Sequence, residues 1–314
     1  MTIKVKALAL FGLAALCSPL FAADQARPGT LNYVEGSVSL ADKPVTSKSI
    51  GSAELEPGQV LSTGQGKAEL LLTPGVFLRL DDNSAVKMLS PDLTFTQLAL
   101  ERGRATVEVD EIYSQNDVQI VNGGVSTQLL KTGLYEFDAN NKTAMVFKGK
   151  AAVHEDDNQW VVLKGHHELQ LASGETTKPE TFNTHAAQGE LYDWSNLRSQ
   201  YLSEENPQIA GQYAGAAGFA PGWYWDPFAF DYGFIGADPF WSPFGWGFYP
   251  PGYFGGMYGG GFYGGGMYGR GFYGRGMGYR GYAGRGVGGG GFHGGGGGFH
   301  GGGGGFHGGG GGHR

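Results

Sequence analysis

Four histidines in the glycine-rich C-terminal stretch are the residues whose type and spacing come closest to a metal site. A Phe–His pair recurs every seven residues and a single His follows, which gives His293, His300, His307 and His313. Imidazole is a ligand for Zn, Cu and Ni. Because the intervening glycines must be ordered when several imidazoles close on one ion, the spacing predicts weak binding of several ions and no tight preformed site. The alternative is a spacer in which rings are sticky points separated by Gly.

Aromatic and arginine side chains upstream of these histidines favour a second kind of interaction. Residues 221–254 are rich in aromatic residues, Pro and Gly, and residues 255–286 repeat Gly, an aromatic residue and Arg. Ring stacking and cation–π pairs are each worth about 0.5–1 kcal/mol when exposed, so only many acting together hold a partner. The candidate contacts of this tail are Trp223, Trp225, Trp241, Trp246, Arg270, Arg275, Arg280 and Arg285.

The N-terminus, MTIKVKALALFGLAALCSPLFAADQA, has the pattern of a Sec signal peptide. Lys4 and Lys6 precede an apolar run over residues 7–16, which is too short to span a membrane, and small residues follow. The pattern predicts cleavage after Ala22 or Ala23 and an exported protein, in the periplasm or at the cell surface. The one cysteine, Cys17, lies inside this segment, so the mature chain would use neither disulfides nor a catalytic thiol.

Charge divides the exported chain into an acidic body and a basic tail. Residues 23–214 carry 15 Lys and Arg against 26 Asp and Glu, whereas residues 252–314 carry five Arg and no carboxylate side chain. Sequences that combine Gly, Arg and aromatic residues also occur in RNA-binding tails. An acidic body and export both argue against nucleic acid as the partner. The basic tail is instead expected to meet anionic surfaces or the acidic body itself.

Short apolar or alternating runs, at a spacing near ten residues, fill the chain from residue 30 to about residue 172. Turn residues such as Pro–Gly and Asn–Gly–Gly separate the runs. This pattern predicts a mainly β domain, as a sandwich, barrel or solenoid-like stack of many short strands. In the run TVEV, Val107 and Val109 should face the core while Thr106 and Glu108 face the other way.

One amphipathic helix is predicted over residues 185–205. Leu191, Trp194, Leu197 and Tyr201 recur at spacings of three, three and four, which is an apolar helical stripe. Pro207 follows and is expected to end the helix. Its expected role is to cap an open edge or end of the β-domain. Two low-complexity segments follow, over residues 208–254 and 255–314, and no secondary structure is predicted for either. The second segment is expected to be a disordered tail.

The β-region resembles the FecR domain, a periplasmic domain named after a regulator of ferric-citrate uptake. The resemblance lies in ordered phrases: EGSVSL, then EPGQVLSTGQGKAELLLTPGVFLRL, then LALERGRATVEV, and a closing VSTQLLKTGLYEFDANNKTAMVFKGKAAVH. It covers about residues 30–170 and implies an envelope β-domain suited to protein or ligand contact. The regulator that gives the family its name has a cytoplasmic segment that controls a sigma factor. This chain has the predicted signal peptide in that place, so the regulator role is not carried over.

Taken together, the sequence predicts a non-enzymatic envelope protein with no cofactor. It contains no nucleophile elbow, H-E-x-x-H motif or phosphate loop. A FecR-like domain (30–172) and helix would carry a tail that adheres to envelope proteins, cell wall or matrix polysaccharide, or to other copies of itself. Two alternatives stay open. One is metal binding or sensing through the His–Gly tail, and the other is FecR-like signalling with an outer-membrane partner.

Overall fold

The computed structural model describes residues 26–155, 159–171 and 178–258. The predicted signal peptide and residues 259–314 lie outside the described residues. The fold is mainly β with one long helix, which confirms the predicted fold class. The main sheet contains β1 (Leu31–Leu40), β2 (Lys43–Val45), β3 (Val60–Leu71), β4 (Val76–Leu80), β5 (Ala85–Asp92), β6 (Phe95–Arg102), β7 (Arg104–Val109), β8 (Asp117–Asn122), β9 (Val125–Leu129), β10 (Gly133–Asp138), β11 (Thr143–Lys148), β12 (Lys150–Glu155), β13 (Gln159–Lys164), β14 (His167–Gln170) and β15 (Glu180–Thr181).

The remaining elements follow the main sheet in the chain, apart from a 3₁₀ turn at Ser47–Ser49. Two short hairpins form outside the main sheet, from β16 with β17 and from β18 with β19. Within the described ranges, no helix combines the length and hydropathy needed to cross a membrane. The elements are α1 (Thr184–Ala187), α2 (Glu190–Gln212), β16 (Gly222–Asp226), β17 (Asp231–Ile235), β18 (Phe240–Trp241), β19 (Gly247–Phe248) and α3 (Pro251–Tyr258).

Strand β3 lies at the centre of the main sheet and joins its two halves. Within the described ranges the order is β13-β12-β9-β8-β6-β5-β3-β4-β7-β10-β11-β14-β15, β1 also pairs with β3, β2 pairs with β1, and β6 and β8 pair in parallel. The start of β3 pairs with β5 and its end pairs with β4. One apolar core takes Leu98 and Ile120 from one half and Leu78 and Val107 from the other. The two halves therefore pack against each other through a shared core.

A glycine contact between β1 and β3 allows the sheet to fold over on itself. Gly36 pairs with Gly66, and the register of β1 shifts directly afterwards. Gly36 has φ +65°, and a methyl group there would lie 2.2 Å from the carbonyl oxygen of Gln65. Only glycine fits such a close approach of two backbones. These glycines lie in the phrases EGSVSL and STGQGKAEL that carry the family resemblance.

Helix α2 differs from its prediction in both position and length. It begins at Glu190 and continues through Pro207 to Gln212, whereas the expectation was residues 185–205 with an end before the proline. Proline removes one backbone hydrogen bond from a helix interior. Beyond it, Ile209 and Ala210 are fully buried, and their burial offsets the loss and holds the additional turn.

The buried face of α2 is also rotated from the predicted apolar stripe. Leu191 is buried as expected, but Leu197 and Tyr201 are 44% and 46% exposed. The helix covers a face of the sheet and not an edge, because Ser195 and Ser199 hydrogen-bond to side chains of β7, an interior strand. That sheet face is polar, so the helix turns polar side chains toward it. Its buried residues are Leu191, Ser195, Arg198, Ser199, Leu202, Asn206, Ile209 and Ala210.

The aromatic segment is folded, contrary to the expectation that residues 208–254 have no secondary structure. Its hairpins pack on the outer face of β3 and β4, where Trp223, Phe234 and Phe248 join Leu71 and Phe77 in a second apolar cluster. Burying large aromatic rings supplies enough free energy to order a segment that is otherwise rich in Gly and Pro. The composition indicated disorder, but the long-range contacts decide the structure.

We predict that Gly36→Ala destabilises the fold by about 2 kcal/mol or more, because the new methyl group meets backbone atoms and the φ angle is left-handed. Gly58→Ala is the matched control. Gly58 has φ +82° but open space around it, so it should lose only about 1 kcal/mol. Denaturant unfolding of both variants measures the difference. Equal losses would show that the close approach at the bend is unimportant.

Candidate functional site

A network of buried charges lies on the outer face of the main sheet. The Arg79 side chain on β4 is fully buried, and its Nε donates to Glu69 Oε2 at 2.6 Å while its Nη1 donates to Glu108 Oε2 at 2.5 Å. The three residues occupy neighbouring strands and alternate with core residues such as Leu78 and Val107. Alternation along the strands therefore puts apolar groups on one face and charges on the other.

Arg198 of α2 connects this sheet face to the aromatic segment. Its Nη2 donates to Glu69 Oε1 at 3.1 Å and to Asp231 Oδ2 on β17 at 2.9 Å. Its guanidinium also stacks on the ring of Tyr33, 4.2 Å from the centroid. Glu69, Arg79, Glu108, Arg198 and Asp231 are called the buried charge network below. One arginine thus joins strand β3, helix α2 and the β16–β17 hairpin.

Asn32 on β1 makes a second connection to the same hairpin. Its Nδ2 donates to Glu69 Oε1 at 2.9 Å and to the Tyr232 carbonyl at 3.1 Å, and its Oδ1 accepts from the Tyr232 amide at 2.7 Å. The side chain therefore pairs with the backbone of β17 much as a neighbouring strand would. This contact fixes the position of the hairpin relative to β1.

A groove of about 740 Å³ opens between β1, the 3₁₀ turn, α2 and the β16–β17 hairpin. Aromatic rings form its walls, and Trp225 reaches it because Gly51 lies beneath: a methyl group there would lie 2.6 Å from the indole. Polar groups of the charge network form its floor. We call this the aromatic groove, with walls of Tyr33, Tyr201, Trp225 and Phe230 and a floor of Arg198, Glu205 and Asp231.

Two carboxyl groups, of Glu205 and Asp231, lie close together on the groove floor. Among the described residues, no amide or hydroxyl donor reaches Glu205 Oε2 or Asp231 Oδ1. Burial raises the pKa of Glu205 to about 8, and the neighbouring Asp231 adds to the effect. Burial also raises the pKa of Asp231, against the opposing charge of Arg198. Glu205 is therefore protonated at neutral pH.

Glu69 titrates at the opposite extreme. Burial favours its neutral form, but the charges of Arg198 and Arg79 outweigh burial and hold its pKa at about 2. Its contribution to stability is present above its unfolded pKa and is lost as the pH falls through about 2. This side of the sheet thus has an ionised Glu69 beside the arginines and a protonated Glu205 where the groove begins.

The tryptophans predicted as tail contacts occupy different positions. Trp223 is 9% exposed and packs between Phe77 and Phe234. Trp246 donates its Nε1 proton to Asn196 Oδ1 at 2.8 Å. Trp225 lines the groove, and Trp241 is 68% exposed. Of these four tryptophans, Trp223 is buried, Trp225 and Trp246 are partly exposed, and Trp241 is largely exposed.

The predicted tail arginines and histidines, Arg270, Arg275, Arg280, Arg285, His293, His300, His307 and His313, lie outside the described residues. Within the described ranges, no group of three or more His, Cys, Asp or Glu residues is arranged to hold a metal ion. The metal and tail contacts stay predictions.

Sequence reasoning missed the residues of the groove floor. The sequence analysis singled out none of Arg198, Glu205 and Asp231, because none of them belongs to a recognisable motif. One local signal was available. Asp226 and Asp231 flank a turn, and Asp226 Oδ1 accepts from the Phe228 amide, which is the pattern of a hairpin turn. That signal places the hairpin but not its partner on α2.

We predict that Glu205→Gln removes a pH dependence of stability. The raised pKa of Glu205 stabilises the fold fully below pH 4.5, and this contribution is lost as the pH rises through about 8. Glutamine has the same size and does not ionise. The variant should therefore unfold at a higher temperature than the wild type at pH 9, with little difference at pH 4.5. Glu204→Gln, at the exposed neighbouring position, is the control, and a pH-independent difference for Glu205→Gln would contradict the assignment.

We also predict that Arg198→Met destabilises the protein by about 3–5 kcal/mol, because it leaves buried carboxylates of the network without their cation. Arg102→Met removes an exposed arginine that contacts only the Asn83 carbonyl, and its effect should stay within about 0.5 kcal/mol. Denaturant unfolding measures both. A loss below about 1 kcal/mol for Arg198→Met would show that the network does not hold the hairpin.

Comparisons with known proteins complete the description of the site. No family model matches the chain, and no curated protein matches it. Two solved structures of a "putative anti-sigma factor" from Parabacteroides distasonis ATCC 8503 are similar to it, each at 11% identity, with TM-scores of 0.36 and 0.35. Each match covers 41% of this chain and 62% of the solved chain. This chain thus matches less than two thirds of the length of those structures.

Proposed function

We propose that the chain is a non-enzymatic, exported protein of the cell envelope, with a folded FecR-like body that binds a partner and a tail that adheres or builds a scaffold. The aromatic groove is the observation that carries this proposal. Its walls offer Tyr33, Tyr201, Trp225 and Phe230, and its floor offers hydrogen-bonding carboxyls. Aromatic surface beside a few convergent polar groups is the usual composition of a binding site.

The carboxyl pair favours binding over catalysis. Glycoside hydrolases use two carboxyl groups that stand about 5 Å or more apart so that they can act on opposite sides of a bond. Asp231 is 3% exposed and ion-paired with Arg198 at 2.9 Å, so it is not free to act on a sugar from the far side of the bond. The two carboxyl groups are better placed to recognise a polar or charged group that enters the groove.

The scaffolding part of the proposal rests on composition. The tail predicted from residue 255 onward combines Gly with regularly spaced aromatic, Arg and His residues and lacks carboxylate side chains. Such a segment binds through many weak contacts in parallel, to envelope proteins, cell wall, matrix polysaccharide or another copy. The aromatic segment upstream is not part of this tail, because residues 222–248 belong to the folded body.

Cell fractionation of the full chain and of a variant truncated after Tyr258 tests the proposal. The truncation keeps every described element of the body. We expect the full chain to sediment with the envelope fraction or appear at the cell surface, and the truncated variant to be released as soluble periplasmic protein. The control replaces His293, His300, His307 and His313 by Ala at unchanged tail length.

Three outcomes are informative in this experiment. Equal release of both forms would contradict the adhesive role of the tail. Retention of both forms in the cytoplasm would contradict export. If replacing the four histidines is by itself enough to release the full-length chain, the tail binds through metal-dependent contacts.

A further inference from the structure

The aromatic groove has the chemistry of a site for a cationic side chain. Glu205 Oε2 and Asp231 Oδ1 receive no donor from the rest of the described protein, and Asp231 is 3% exposed. The rings of Tyr201, Trp225 and Phe230 line the same groove as these two residues. A guanidinium between aromatic faces and carboxylates gains cation–π contacts and charge-assisted hydrogen bonds together.

The chain itself contains a segment of matching chemistry. Arg270, Arg275, Arg280 and Arg285 recur every five residues, each close to a Tyr or Phe and separated by Gly. The body upstream is acidic, and the tail carries no carboxylate side chain that would compete for these arginines. Charge and aromatic content are therefore complementary between groove and tail sequence.

We propose that the aromatic groove of one copy binds an arginine of the tail of a second copy, and that the protein assembles head to tail. This inference rests on the proposed scaffolding function and names the partner of its groove. A head-to-tail contact uses two different surfaces, so every copy added leaves one groove and one tail free, and the assembly grows as an open chain. Four equivalent arginines per tail raise the effective concentration at each groove.

The carboxyl pair makes this contact dependent on pH. A guanidinium beside Glu205 favours its ionised form, so binding should displace the proton that Glu205 holds and should strengthen as the pH rises toward about 8. Arg198 and Lys48 oppose the entering cation, and Asp226 and Asp231 favour it. The charged or titratable groups around Glu205 are Arg198 and Tyr201 of α2, Asp226 and Asp231 of the hairpin, Tyr33 of β1 and Lys48 of the 3₁₀ turn.

Sedimentation velocity of the purified full-length protein tests the proposal. The wild type should form concentration-dependent oligomers that dissociate in high salt. Replacing Arg270, Arg275, Arg280 and Arg285 by Gln, or Glu205 by Gln, should each weaken association by at least about tenfold. Mixing these two variants should restore a complex that does not grow into an open chain, because one variant supplies only grooves and the other only tails.

Tyr201→Ala and Leu197→Ala provide a matched pair that does not depend on charge. The two residues are similarly exposed on α2, one turn apart, and only Tyr201 lines the groove. Tyr201→Ala should weaken association and Leu197→Ala should not. A thermal melt of each variant shows whether the body is still folded.

Several results would overturn the proposal. The first is that the wild type stays monomeric at all concentrations. The second is that association survives the Glu205→Gln and Tyr201→Ala changes. The third is that the two mixed variants form no complex. Oligomers dissolved by a soluble envelope polysaccharide and not by salt would assign the groove to a saccharide instead. Each of these results is independent of the fractionation experiment, so export and adhesion can hold while head-to-tail assembly fails.

Discussion

The ion pairs of Arg79 with Glu69 and Glu108 are the constraint on which the rest of this structure depends. They lie on the outer face of a β-sheet whose other face is an apolar core, and all three side chains are excluded from water. Buried charges are tolerated only when every partner is present, because an uncompensated ion in a low-dielectric interior costs several kcal/mol. The sheet therefore needs a cover that carries both polar groups and apolar surface.

The cover meets this need in two parts. Helix α2 supplies Arg198 and Ser199 over the carboxylates, and the aromatic segment supplies rings that surround them. Arg198 pairs with Asp231 at 2.9 Å, whereas burial raises the pKa of the adjacent Glu205 to about 8 and keeps it protonated at the mouth of the groove. In this account the candidate binding site is the place where the buried network meets solvent.

Sequence reasoning reached the parts of the fold that are encoded locally. Alternation in TVEV correctly assigned Val107 and Val109 to the core and Thr106 and Glu108 to the opposite face. The face of α2 was misassigned because Leu197 and Tyr201 form the more apolar stripe, whereas the surface under the helix is charged. The aromatic segment was taken as unstructured because composition does not report contacts such as Asn32 with Tyr232, 200 residues apart.

The central claim is that the aromatic segment is part of the folded body and is held there by the charge network. Hydrogen–deuterium exchange at the Tyr232 amide tests it most directly, because this proton is donated to Asn32 Oδ1 across 2.7 Å. The account predicts that the amide exchanges as slowly as those of the core strands β4 and β7, and only through global unfolding. Exchange at the rate of an unstructured peptide, with β4 and β7 still protected, would contradict it.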